Sequence, residues 1–77
     1  METKLHTLIA DTLHLPLEKI NNDLTMKEVE SWDSLQHMNL VASLEQIFGV
    51  EFTFEEIVTM QSVAQIKDVL EAKGVDA

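Results

Sequence analysis

A serine sits between an acid and a leucine in Asp33-Ser34-Leu35, where an irregular, acid-bearing stretch gives way to apolar residues at helical spacing. Asp33 has the side chain of an N-cap, and Gln36 three residues on suits the return contact of a capping box. The pattern therefore puts Ser34 on the first turn of a helix, with its hydroxyl exposed. The free N–H groups and the positive dipole end of a helix favour a phosphoryl group at that spot. The nearest imidazole is His37, one turn on, but its spacing turns it toward the edge of the core face. No glycine elbow or third orienting group accompanies the pair. Ser34 reads as a point of attachment, not as a nucleophile with chemistry of its own.

Other chemistry-bearing residues give weaker patterns. His6, His14 and His37 lack ligand spacing, and a proline break follows the first two, so they read as surface or core-edge histidines rather than a metal site. The acids from Asp23 to Asp33 lack the sixth-position glycine and the regular oxygen spacing of a calcium loop. Weak divalent-cation binding that relieves acid–acid repulsion is the most they suggest. There is no cysteine, so no disulfide or thiolate metal site can form, and any thiol would have to come from a bound group.

Four helical segments must position Ser34. The first runs over residues 2 to 13, with Leu5, Leu8, Ile9 and Leu13 on one side, and Pro16 stops it. From His14 to Asp33 no period holds. The scattered Leu15, Leu17, Ile20, Leu24 and Val29 predict a loop pinned onto the core, with a short helical turn over residues 24 to 29. A connection this long in a small domain is usually functional. The second helix spans Asp33 to about Phe48, and Gly49 suits the left-handed position after its last turn. Thr53 with Glu56 opens a short helix to Thr59; Ser62 with Gln65 opens a last helix to about Lys73, closed by Gly74. No strand pattern competes, so the expected fold is all-α, a single domain over residues 1–77.

Around the second helix, Leu40, Leu44, Ile47 and Phe48 form the predicted core face, with His37 and Val41 at its edge. Ser34, Leu35, Met38, Ala42 and Glu45 gather on the other side. The serine thus heads an outward stripe that is apolar in its middle and acidic further down. With a polar anchor beside it, that stripe reads as a contact surface, although scattered surface apolar residues are common on any protein. Trp32 reads either as a staple packing the loop onto the helix start or as an exposed contact residue.

The 77 residues are 45% hydrophobic, enough to fold as one small domain and too many for a disordered tail. Fourteen Asp and Glu against five Lys give a formal charge of −9. That sign argues against phosphate-mediated nucleic-acid binding. It suits partners with basic patches, or else merely keeps a small protein in solution. No signal peptide or membrane-spanning run is read, so the expected location is the cytosol and the expected state a monomer.

The chain resembles the acyl carrier protein family over residues 2 to 73. The residues that carry the resemblance are Asp33-Ser34-Leu35, then Leu40, Leu44, Glu45, Phe48 and Gly49, then Glu55-Glu56 and Ser62-Val63. Asp-Ser-Leu alone is weak; the whole frame of helix, long loop, Asp-Ser-Leu helix, short helix and helix is specific. The resemblance implies a four-helix bundle without enzymatic activity. It also implies 4′-phosphopantetheine moved from coenzyme A onto the Ser34 hydroxyl by a separate transferase, with acyl groups held as thioesters on the arm. Asp33 then matches the acid before the modified serine, and Leu35 and Met38 the apolar contacts beside the arm. Ala42 continues the contact stripe, and Glu45, Glu55 and Glu56 match acids that basic patches of acyl-loading and acyl-transferring enzymes read.

Asn39 and Gln46 stand where carriers of bulk fatty acid synthesis bear acids, and Trp32 is unlike those carriers too. The departures point to a specialised stand-alone carrier in lipid, polyketide or related biosynthesis. Two other readings stay open: an aminoacyl or peptidyl carrier, and an acidic helical adaptor for a basic partner.

Overall fold

The computed structural model describes residues 2–75, with side chains from Lys4 onward. Its elements are α1 (Glu2–Leu13), α2 (Ser34–Phe48), α3 (Phe54–Thr59) and α4 (Val63–Ala72), with 3-10 turns at Leu17–Lys19 and Met26–Glu28 in the long loop. The expected all-α frame is the observed one, and among the described residues no strand forms beyond a single antiparallel bridge between Thr25 and Ser62.

Local chemistry sets the helix ends. Asp33 caps α2, its carboxylate accepting from the Gln36 amide at 2.9 Å. Gly49 ends that helix at φ 67°, a conformation that costs glycine nothing, and its N–H returns to the Glu45 carbonyl at 2.9 Å. Thr53 and Glu56 form a full capping box on α3. Ser62 caps α4 by accepting from the Gln65 amide, but the Gln65 carboxamide turns to the Gln61 N–H, so the reciprocal half of that box is displaced by one residue. Helix α1 stops earlier than Pro16 requires. His14 takes a left-handed φ of 58° and the Leu15 amide reaches back to the Ala10 carbonyl, so a histidine fills the place usually given to glycine.

The core is built from Leu5, Ile9 and Leu13 of α1, Leu40 and Leu44 of α2, Met60, and Val63, Ile66 and Leu70 of α4, all fully buried. The loop joins it through Ile20, Val29 and Trp32. Leu17 departs from the expected pinning. It lies on the outer 3-10 turn and is half-exposed. Ile47 departs too: the wheel places it on the core face, but it is 45% exposed near the C-terminal end of α2. Phe48 beside it is half-buried, its ring under the Lys4 ammonium at 5.4 Å.

The long loop is fastened at its middle and near its exit. Ser31 Oγ donates to the Leu13 carbonyl at 2.8 Å. The Val63 and Ala64 amides at the start of α4 donate to the Leu24 and Asn22 carbonyls, and the Met26 amide donates to the Gln61 carbonyl. The loop therefore consumes N–H groups that α4 would otherwise leave open. No helix among the described residues is long and apolar enough to cross a membrane.

Candidate functional site

Ser34 is the first residue of α2 and is exposed. Asp33 takes up the Gln36 amide, and the His37 amide bonds the Asp33 carbonyl at 2.8 Å. The amides of Ser34 and Leu35 take no partner among the described residues, in contrast to the first turn of α4. An anion attached at the Ser34 hydroxyl would meet unsatisfied N–H groups and the positive end of a 15-residue helix. Beside the hydroxyl opens a hollow of about 290 Å³ walled by Met26, Met38, Phe54, Ile57 and Val58, with His37 and Gln61 as its polar members. A larger hollow, about 460 Å³, lies against Leu15, Lys19, Leu24 and Glu30 and does not include Ser34.

Trp32 and His37 form the scaffold under this site. Trp32 is buried, 2% exposed, in the position just before the cap, and His37 stands on the first turn and a half of α2. These are the two places of a helix-start staple. Here the staple is also polar. The indole Nε1 donates to His37 Nδ1 at 3.0 Å, with the rings 6.1 Å apart and tilted by 34°. An indole N–H can only donate, so Nδ1 accepts and the imidazole proton sits on Nε2, which donates to the Ile57 carbonyl at 2.8 Å. The chain Trp32–His37–Ile57 ties the loop, α2 and α3 together. Both imidazole nitrogens are committed, so His37 has no lone pair with which to activate Ser34. Of the two readings of Trp32, the staple is the one realised.

The residues expected at the partner surface divide into two groups. Leu35, Met38 and Ala42 are exposed on the face of α2 that follows Ser34. Glu55 is exposed on α3. Glu45 and Glu56 are instead engaged within the fold. Glu45 Oε2 accepts the Phe52 amide at 2.9 Å, fixing the segment that leads to α3. Glu56 Oε1 accepts the Thr53 amide and the Lys73 ammonium, each at 2.8 Å, and these hold its carboxyl below the ordinary value of 4.5, the Lys73 contact foremost. Phe54 and Val58 of α3 lie on the rim of the hollow and were not singled out by sequence. A signal was present: three apolar residues, Phe54, Ile57 and Val58, crowd a six-residue helix, more than one buried stripe can absorb.

Comparison with known proteins agrees with this geometry. Residues 3–70 match the family model described as a phosphopantetheine attachment site. An acyl carrier protein of Buchnera aphidicola subsp. Baizongia pistaciae is 34% identical over 70 residues, covering 91% of this chain and 90% of that protein. One from Thermosynechococcus vestitus is 31% identical over 70 residues (91% and 86%), and one from Coprothermobacter proteolyticus 29% identical over 69 residues (90% and 84%). A capped helix start bearing an exposed serine beside an apolar hollow, in a frame matched nearly end to end, defines a phosphopantetheine-bearing domain. The chain belongs to the acyl carrier protein family. Members of that family are carriers rather than catalysts, and they bear a covalent 4′-phosphopantetheine group.

Proposed function

We propose that Ser34 is the attachment residue, and that the chain carries acyl intermediates as thioesters and presents them to partner enzymes of a specialised lipid, polyketide or related pathway, acting as a cytosolic monomer. The observation that carries this reading is the exposed Ser34 hydroxyl at a helix start whose first N–H groups take no partner among the described residues, opening onto an apolar hollow. The phosphopantetheine arm, once attached, supplies the thiol that a chain without cysteine lacks. This protein's own residues supply position. Asp33 holds the helix start, Trp32 and His37 keep the loop from sliding over it, and Met38, Phe54, Ile57 and Val58 offer an apolar wall to whatever the arm bears. A tethered cargo then reaches any docked enzyme at high effective concentration. The apolar character of that wall favours an acyl over an aminoacyl cargo. A transferase must approach Ser34 across the face of Leu35, Met38 and Ala42, with Glu55 beside it on α3.

The test is an intact mass before and after incubation with coenzyme A, magnesium and a broad-specificity phosphopantetheinyl transferase. One phosphopantetheine is gained by the wild-type chain. None is gained by Ser34→Ala, whose melting curve is unchanged because the hydroxyl has no partner among the described residues. Loading of the alanine variant would refute the assignment of Ser34.

A further inference from the structure

Of the carboxylates nearest Ser34, Glu45 and Glu56 are engaged within the fold, whereas Asp33 and Glu55 are exposed. Helix α2 carries one acid among its 15 residues, Glu45, and the Phe52 amide holds it. Asp33 accepts the Gln36 amide while staying exposed, and Glu56 is engaged by Thr53 and Lys73. Large apolar side chains face solvent around Ser34: Leu35 is 70% exposed, Met38 51%, Phe54 79% and Val58 48%. Met38, Phe54 and Val58 share the rim of the hollow that Ser34 borders, so they form one patch and are not scattered. Asn39, Ala42 and Gln46 continue the uncharged surface along α2. Asp33 and Glu55 are exposed carboxylates nearby. The acids behind the charge of −9 are mostly elsewhere, on α1 and the long loop (Asp11, Glu18, Asp23, Glu28, Glu30) and on α4 (Asp68, Glu71).

We propose that this carrier docks its partner enzymes through the uncharged patch of Leu35, Met38, Phe54 and Val58, and that the partner surface it fits is apolar and poor in Arg and Lys. The proposal rests on Ser34 being the attachment residue, since a partner that works on the arm must cover this face. Charge decides the kind of partner. A basic docking patch laid here would shed its hydration against Leu35, Met38 and Phe54, and would find Asp33 and Glu55 in place of a row of acids along α2. An apolar partner loses nothing comparable and gains from the burial. Association by such a patch is governed by its fit, whereas association by acids is steered over distance and weakened by salt.

The test uses the whole chain with coenzyme A and two phosphopantetheinyl transferases, one with an apolar docking surface and one with an arginine-rich surface, with initial rates read by intact mass. The expected result is a kcat/KM at least about tenfold higher with the apolar enzyme, changing less than about twofold as salt rises from about 50 to 500 mM. Phe54→Ser and Met38→Ser each lower that value about tenfold through KM, while Glu55→Gln changes it less than about twofold. Both apolar positions are exposed, so melting curves of the variants stay with wild type. Preference for the arginine-rich enzyme, unchanged kinetics in both apolar variants, or a tenfold loss in Glu55→Gln overturns the proposal and leaves Ser34 as the attachment residue. Failure of both enzymes to load the folded chain overturns the Ser34 assignment itself, and the docking surface falls with it.

Discussion

His37 shows how much one buried side chain decides. It sits three residues after the serine, where a base would be sought, yet both its nitrogens are used to join Trp32 to the Ile57 carbonyl. The imidazole is a structural connector whose tautomer is set by its neighbours. Trp32→Phe keeps the ring and removes the donor, leaving His37 Nδ1 without a partner in a dry site. We expect a loss of about 1–3 kcal/mol in urea unfolding, the cost of an orphaned buried acceptor. Loading of Ser34 by a transferase should persist in that variant, because the helix start itself is untouched. Wild-type stability in Trp32→Phe would mean that the indole N–H contributes nothing net.

Among the elements, α3 is the one most dependent on its ties. Six residues are too few for a helix to hold itself in water. Its capping box, the His37 contact, the buried Met60 and the Glu56–Lys73 pair to the end of α4 hold it in place. The last of these depends on pH. The Lys73 ammonium and the Thr53 amide stabilise the Glu56 carboxylate, so its folded value lies below the ordinary 4.5. A depressed carboxylate binds its proton less readily folded than unfolded. Its contribution is therefore present above about pH 4.5 and is lost as pH falls through the lowered folded value. An NMR titration should place the Glu56 midpoint below those of exposed glutamates, and Lys73→Gln should move it upward. An unmoved midpoint in that variant would assign the depression to the capping box alone.

At the scale of the whole molecule, the excess of acids outweighs five lysines, so folding brings like charges together. Asp23, Glu28, Glu30 and Asp33 are all exposed within one loop and its exit. Raising ionic strength screens that repulsion, and the melting midpoint should rise by several degrees between low and physiological salt. A midpoint that falls with salt would show that attractive ion pairs outweigh the repulsion. The division of labour across the surface is the larger point. Acids gather in the long loop, whereas α2 beyond Ser34 carries Glu45 alone.

Capping and periodicity act within three or four residues, and this is why the helices were legible. Asp33 with Gln36, Thr53 with Glu56 and Gly49 at the end of α2 each declare a boundary from neighbours alone. The same locality made Ser34 visible as an exposed hydroxyl on a first turn. Whether a side chain is available to a partner depends instead on groups remote in sequence, and only the packed chain decides that. Glu45 is held by an amide seven residues away and His37 by a carbonyl twenty residues away. Ile47 and Leu17, apolar and at plausible spacing, remain exposed because burial requires an element opposite, which no helical wheel supplies. Helix and attachment point are local properties of this sequence. The free acids, the committed histidine and the apolar face of α3 are properties of what the tertiary fold brings together.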